Sequence, residues 1–347
     1  MRSLLKSALV AWVFLFAMSS AHADQEYGIF ERILAASGDY TSTVAAFEKA
    51  LAASSLTLHA KRDIYVPEGK QRAKIYIVTS PAYMAAAAGE EANTASAQIL
   101  RIGIYEYGPG KKTFINMANP VAHAHVFYSE GDNLNKMLAA ANKVAAEIRA
   151  IAAQVPGTPE RKQLEPIREV DALEGFNGDG PAKMMTGFSD FEGNQNPMVE
   201  DEENFAEVVA KVEKAIKAAP ESGDVDESSG WTLLTKIQVN PNAVYFGIIN
   251  DYTQDRTLRI NSDFRSDGKT DDAPIPGVDH ITAMPMEVLV LNMDGEVSVI
   301  QYGEMWRMQL YFWDSGYLAF TKNAIIPAII ESAIEEAVGE DSGLWDM

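Results

Sequence analysis

The chain of 347 residues contains no cysteine. This absence excludes disulfide bonds, thiolate nucleophiles, cysteine-based metal sites and the acylated cysteine of a lipoprotein. Motifs such as Gly-x-Ser-x-Gly, His-Glu-x-x-His, a Walker loop or Gly-x-Gly-x-x-Gly are also absent. We therefore predict no catalytic residue and assign no cofactor, and whether the chain is an enzyme stays open.

Basic residues are scarce relative to acidic ones. Lys and Arg number 29 against 49 Asp and Glu, which gives a net charge of -20 at pH 7. A chain this acidic repels phosphate backbones and anionic lipid, so nucleic acid is not an expected partner. A cationic protein partner or a second copy of the chain remains open.

Long apolar runs are absent after the first 23 residues, so no membrane span is expected beyond them. The N-terminal segment carries Arg2 and Lys6, then an apolar run at 8–18, then an Ala-x-Ala step that ends at Ala23. This order is typical of a signal peptide at residues 1–23, with cleavage after Ala23. The alternative is an uncleaved anchor, but the run is short for a span of about 20 residues. We expect a soluble, secreted protein of the periplasm.

One pattern of segments occurs twice and predicts an α+β fold made of two similar units. Each copy has an amphipathic helix, a β-hairpin, an aromatic turn and a long closing helix. The hairpin turns contain a Gly-Pro-Gly loop that starts at Gly108 and the tight-turn pair Asp294-Gly295. We predict units at 24–153 and 204–347 that arose by internal duplication, and the alternative is two unrelated α+β domains. Residues 154–203, rich in Pro, Gly and acidic residues, are predicted to be a linker or an irregular segment.

The second copy resembles the DUF 302 family of uncharacterised bacterial domains, so the chain looks like a tandem duplication of that unit. The resemblance rests on the helix that starts at Phe205 and on a proline, Pro285, that leads into paired strands with a glycine turn at Gly295. The first copy is similar more loosely, since it lacks that proline and has its Asn119-Pro120 step after the hairpin. The resemblance implies small α+β units that pair through their sheets, and it implies no activity.

The candidate metal site is the pair His123 and His125, with Met117 as a third, soft ligand. In an extended segment residues two apart point to the same side, so both rings are able to bind one ion. Imidazole suits copper, zinc or nickel, and thioether suits Cu(I). In a helix the rings diverge, and the alternative is a pair of satisfied or solvent-facing histidines. The second unit offers further ligands if the two units face each other: His280, Met284 and Met286.

Two other clusters have a functional and a structural interpretation. Aromatic residues crowd the second copy from Trp306 to Phe320 and favour either an apolar ligand groove between the units or core packing. The acidic loop from Asp263 to Asp272 favours either calcium binding or a solvated loop, and its spacing is not that of a known calcium loop.

These observations favour a non-enzymatic periplasmic binding or interaction protein, with a metal such as copper or a small apolar molecule as ligand. One alternative is a hydrolase that depends on a metal or on carboxylates. Another is an accessory subunit that docks on a cationic partner. An enzyme requires converging polar groups in a cleft, whereas a binding protein requires a concave surface with few polar groups.

We predict that the exported chain begins at Asp24, because signal peptidase cleaves after the second small residue of Ala-x-Ala. N-terminal sequencing of protein from the periplasmic fraction measures this directly. An intact Met1 on membrane-bound protein would contradict both the cleavage and the soluble periplasmic location.

Overall fold

Two antiparallel sheets organise the chain, in a computed structural model that describes residues 25–178, 192–202, 204–218, 221–342 and 345. The predicted signal peptide and residues 179–191 of the predicted linker lie outside the described residues. The predicted α+β class is confirmed, since helices and antiparallel strands both occur throughout. None of the described helices is long and apolar enough to cross a membrane.

The first unit is built around six strands. In chain order it contains β1 (Glu26–Ala36), α1 (Tyr40–Ala52), β2 (Thr57–Asp63), β3 (Ala73–Thr79), α2 (Pro81–Ala86), β4 (Leu100–Tyr107), β5 (Lys112–Ala118), α3 (Pro120–Tyr128), α4 (Leu134–Ala152), β6 (Gly157–Glu169) and α5 (Val170–Leu173). A 3-10 helix between α2 and β4, Ala92–Gln98, is called the first arm. Ser80 and Asn119 cap α2 and α3, and each is followed by a proline that suits the first helical position.

The second unit is built around five strands. It contains β7 (Gln195–Glu202), α6 (Phe205–Ala218), β8 (Thr232–Asn240), β9 (Ala243–Ile249), α7 (Asp251–Ser262), β10 (Met286–Met293), β11 (Glu296–Tyr302), α8 (Glu304–Phe312), α9 (Gly316–Asn323) and α10 (Ile326–Val338). The 3-10 helix Pro276–Ala283 is called the second arm. Asp294 and Gly295 have φ values of 55° and 95°, as the predicted two-residue hairpin turn requires.

The two sheets have the same strand order. The first is β2-β3-β4-β5-β1-β6 and the second is β8-β9-β10-β11-β7. Strand by strand, β1 to β5 therefore correspond to β7 to β11, and β6 is an addition at one edge. This agreement is what internal duplication predicts, and duplication itself stays a prediction about ancestry.

The structure differs from the predicted linker at 154–203. Most of its first part is strand β6, which pairs with β1, and its last part is β7, which pairs with β11. The second unit therefore begins one strand before residue 204. The strand signal of β6 was hidden because its alternating inward positions are Leu164, Pro166 and Arg168, of which only one is a typical apolar strand residue. Prolines and charges are common on edge strands, where they hinder pairing with other chains.

Each unit inserts its arm into the other unit. The first arm packs on β8, β9 and β10, and the second arm packs on β3, β4 and β5. At equivalent positions of the two arms, a backbone carbonyl accepts a hydrogen bond from a side chain in the sheet of the other unit. The Tyr302 hydroxyl donates to Asn93 O at 2.6 Å, and Asn116 Nδ2 donates to Asp279 O at 2.6 Å. Gly103 leaves room for the second arm, because a Cβ there would lie 2.6 Å from Ile281 Cδ1.

A buried charge pair connects strand β4 of the first unit to strand β10 of the second. Arg101 is the second residue of β4, and Glu287 is the second residue of β10. Their side chains are 2% and 3% exposed, with Nη1 and Oε1 3.8 Å apart. Arg101 Nη2 also donates to the Tyr311 hydroxyl at 2.9 Å. Because a buried charge without its counter-charge is strongly unfavourable, this pair couples the two units.

We predict that Glu287→Gln lowers the free energy of unfolding by about 3–5 kcal/mol, because it leaves the Arg101 guanidinium buried without its carboxylate. The double variant Arg101→Met/Glu287→Gln should recover most of the loss. Urea denaturation measures both. The control is Lys61→Gln, which breaks an exposed ion pair with Glu48 and should cost less than about 1 kcal/mol. The single variant Arg101→Met completes the comparison. If the free energy of unfolding lost in the double variant equals the sum of the losses in the two single variants, the coupling is contradicted.

Candidate functional site

The extended backbone expected at the histidine pair is wrong, because His123 and His125 lie on helix α3. The Asn119 side chain accepts from Val121 N at 3.1 Å, and this cap starts the helix at Pro120. Two residues apart on a helix, the rings point in different directions. His123 Nε2 lies 2.8 Å from Arg101 Nη2, whereas His125 Nδ1 lies 2.8 Å from Glu174 Oε1.

The other predicted ligands do not join this pair. Met117 is fully buried in β5, and Met286 Sδ accepts from Arg307 at 3.0 Å. His280 is bound by two carboxylates, as shown below. Over the part of the chain that the structure describes, no three His, Asp or Glu side chains form a group able to hold a metal ion, and this includes the acidic loop after Asp263. In the aromatic cluster that begins at Trp306, this residue belongs to the core and is 1% exposed.

Four of the segments that differ between the two copies line adjoining clefts on one face of the molecule. Strand β6 has no counterpart after α10 among the described residues. The loop 263–275 after α7 is longer than its equivalent 87–91, and residues 313–325 replace the short link 129–133. The hairpin loop 108–111 replaces a two-residue turn. Each of these additions is absent from the equivalent place in the other copy, which folds without it. The additions are therefore candidates for function.

Three of these additions and the second arm enclose a cleft of about 570 Å³, called the Asp314 cleft. Strand β6, the second arm and the 3-10 turn Trp313–Ser315 all contribute lining residues. The cleft is therefore formed by both units. Charged and polar side chains dominate its lining: Lys162, Gln163, Glu165, Arg265, Asp267, Asp279, His280 and Asp314, together with Leu164 and Ile167.

The inner wall of the cleft is a buried chain of ion pairs around His280. The imidazole Nδ1 lies 2.6 Å from Asp279 Oδ1, and Nε2 lies 3.4 Å from Asp314 Oδ1. Arg265 binds Asp279 with both Nη atoms, at 2.9 and 2.5 Å. Asn261 Nδ2 donates to Asp314 Oδ2 at 2.6 Å. Asp314 Oδ1 is buried, and the one donor that faces it among the described residues is His280 Nε2, in an ion pair that at 3.4 Å is too long for a well-formed hydrogen bond.

The electrostatics keep every member of this chain ionised at neutral pH. Burial by itself would lower the pKa of His280, but the charges of Asp314 and Asp279 raise this pKa to about 9. Burial would raise the pKa of Asp279, but the charges of His280 and Arg265 hold it at about 2. The pKa of Asp314 is also lowered, against its burial, by His280. The wall is thus two cations against two anions, fixed by hydrogen bonds.

The first unit provides an internal comparison. Asn93 and Thr94 of the first arm stand where Asp279 and His280 stand in the second arm, counted back from β4 and β10. Both arms pack on the sheet of the other unit, and in both a backbone carbonyl at the equivalent position accepts a hydrogen bond from a side chain of that sheet. The ionised residues are therefore not required by the arm's fold.

No family model matches the chain, and no curated protein or solved structure is significantly similar to it. The DUF 302 resemblance therefore stays a prediction. Sequence reasoning considered His280 only as an extra metal ligand, and it missed the ion pairs because Arg265 and Asp314 are distant from it along the chain. The adjacent pair Asp279-His280 was the one local signal.

We predict that stability falls as the pH rises from about 6.5 to about 9. The pKa of His280 is about 9 in the folded chain and about 6.5 when unfolded. A raised pKa contributes stability that is complete below the unfolded value and is lost through the folded one. Urea denaturation across this window should show a loss on the order of 3 kcal/mol in the wild type. His280→Gln should show little change with pH over the same window.

His123 is the control of opposite sign. Burial, and next the charge of Arg101, lower its pKa to about 3, so its contribution is present above about pH 6.5 and is lost as the pH falls. His123→Gln should therefore keep the alkaline loss of stability. An alkaline loss that persists in His280→Gln would contradict the ion-pair assignment.

Proposed function

We propose that the chain is a binding protein that holds a small ligand with a cationic, hydrogen-bond-donating group, such as an amine or a guanidinium, in the Asp314 cleft. The observation that carries the proposal is Asp314 Oδ1, a buried carboxylate oxygen in the cleft wall whose one donor-side neighbour among the described residues, His280 Nε2, is too far away at 3.4 Å for a good hydrogen bond. Such an atom is stabilised when a donor arrives, because an unsatisfied buried acceptor is costly.

The rim of the cleft supports a cationic ligand. The four ionised groups of the wall balance in charge, so they leave no excess of either sign. The rim adds Glu165 and Asp267, both exposed, against Lys162. The cleft is therefore slightly negative, in a chain whose net charge of -20 already attracts cations.

Binding is better supported than the alternative of a carboxylate-dependent hydrolase. A general acid or base works best with a pKa near the working pH. Here the pKa of Asp279 is about 2 and that of His280 about 9, so neither exchanges a proton readily at neutral pH. Both nitrogens of His280 face carboxylates, and no described hydroxyl lies in hydrogen-bond contact with them. The expected signal peptide makes the periplasm the proposed compartment.

Isothermal titration with L-arginine, L-lysine, putrescine and spermidine tests the proposal, with succinate and glucose as non-cationic probes. At least one cation should bind the wild type, and Asp314→Asn should weaken that binding tenfold or more, because it removes a charge-assisted hydrogen bond of about 1.5–3 kcal/mol. Glu336→Gln, an exposed change of equal charge on α10, is the matched control and should bind normally.

Two outcomes would overturn the proposal. One is that none of the four cations binds, whether or not succinate or glucose does. The other is that Asp314→Asn and Glu336→Gln bind the same cation equally well. Circular dichroism of Asp314→Asn, which should match the wild type, confirms that the variant is folded.

A further inference from the structure

A second cleft of about 420 Å³ adjoins the first and shares Asp267 with it. It lies between the hairpin loop 108–111 of the first unit and the loop 263–275 of the second. Both loops are additions to the repeated pattern, and they come from non-equivalent places in the two copies. We call this the basic cleft, lined by Arg32, Tyr107, Gly108, Pro109, Lys112, Phe114, Asp267, Gly268, Lys269 and Thr270.

The two loops are held together by close contacts. The Tyr107 hydroxyl donates to Asp267 O at 3.2 Å and accepts from Arg265 Nη2 at 3.0 Å. Gly268 has a φ of 72° and lies against the Tyr107 ring, where a Cβ would be 2.1 Å from Cζ. Only glycine allows this approach, so the walls of the cleft are fixed relative to each other.

The charge of this cleft is opposite to that of the chain. Arg32, Lys112 and Lys269 line it, with Asp267 as the one carboxylate among the lining residues. Lys112 and Lys269 are exposed, and neither forms an ion pair with a described residue. In a chain with 20 more acidic charges than basic ones, unpaired lysines in one concave site are a specific feature.

Arg32 is a preorganised donor in this cleft. Its guanidinium lies 4.1 Å above the centre of the Phe114 ring, and Nε donates to Glu160 at 2.6 Å. The side chain is 14% exposed, and its two Nη atoms donate to no described residue. A guanidinium held flat in this way keeps its remaining donors in a fixed plane, which suits the oxygens of a carboxylate, sulfate or phosphate.

We propose that the basic cleft is a binding site for an oxyanion, a carboxylate, sulfate or phosphate group, held by Arg32, Lys112 and Lys269. The site is separate from the amine-binding function proposed for the Asp314 cleft, and its test does not depend on that function. The oxyanion is either a free ion or part of an organic molecule whose body contacts the Tyr107 ring.

Amide NMR titration with inorganic phosphate and with phenyl phosphate tests the site, with sodium chloride at equal ionic strength as the reference. We expect saturable shifts at Gly108, Lys112 and Gly268. In Lys112→Gln/Lys269→Gln the affinity should fall at least fivefold. The matched control is Lys49→Gln/Lys214→Gln, which removes two exposed, unpaired lysines elsewhere and should bind as the wild type does. Arg32→Lys keeps the charge and should still weaken binding, since it loses the planar donor pair.

Equal affinity for the two phosphates identifies a free oxyanion as the ligand, and tighter binding of phenyl phosphate identifies an organic one. Both results support the site. Shifts that do not saturate, shifts that sodium chloride reproduces, or equal weakening in the two double-lysine variants would overturn it.

Discussion

The structure depends on the burial of each arm by the opposite unit. Neither sheet covers its own central strands fully, because the arm of each copy packs on the strands of the other. Both arms consist of buried residues, and several are polar, so their backbone groups need partners in the opposite unit. The bonds from Tyr302 to Asn93 and from Asn116 to Asp279 provide two of these partners. The two units are therefore parts of one folded body.

This dependence fixes where function is possible. The shared elements are constrained by packing in both copies, whereas among the described residues β6, the loop 263–275, the turn that carries Asp314 and the hairpin loop 108–111 occur in only one copy each. Such additions are free of the reciprocal packing that holds the arms. They nevertheless converge on one face, where a rigid scaffold positions them as it does many binding loops. The replacement of Asn93 and Thr94 by Asp279 and His280 lies at the same face.

Local patterns predicted what depends on neighbours in sequence. The α+β class and the Asp294-Gly295 turn are confirmed, because hydrophobic periodicity and turn chemistry act over a few residues. The helix at His123 was missed although Asn119-Pro120 is a helix-start signal, since the short apolar segment also suits a strand. Apart from the adjacent pair Asp279-His280, the ion pairs around His280 could not be predicted. They depend on chain segments that only the tertiary fold brings together, and sequence spacing carries no information about them.

The charges of the two clefts are the basis of the two ligands proposed for this face. The Asp314 cleft has in its wall a buried carboxylate oxygen without a short hydrogen bond, and the basic cleft beside it has unpaired lysines and a fixed guanidinium. Asp267 lines both clefts and accepts a hydrogen bond from the Tyr107 hydroxyl, and Gly268 lies against the Tyr107 ring. A surface that keeps charges of opposite sign apart suits the two proposed ligands, a cation in the Asp314 cleft and an oxyanion in the basic cleft, and rigidity would reduce the entropic cost of binding each.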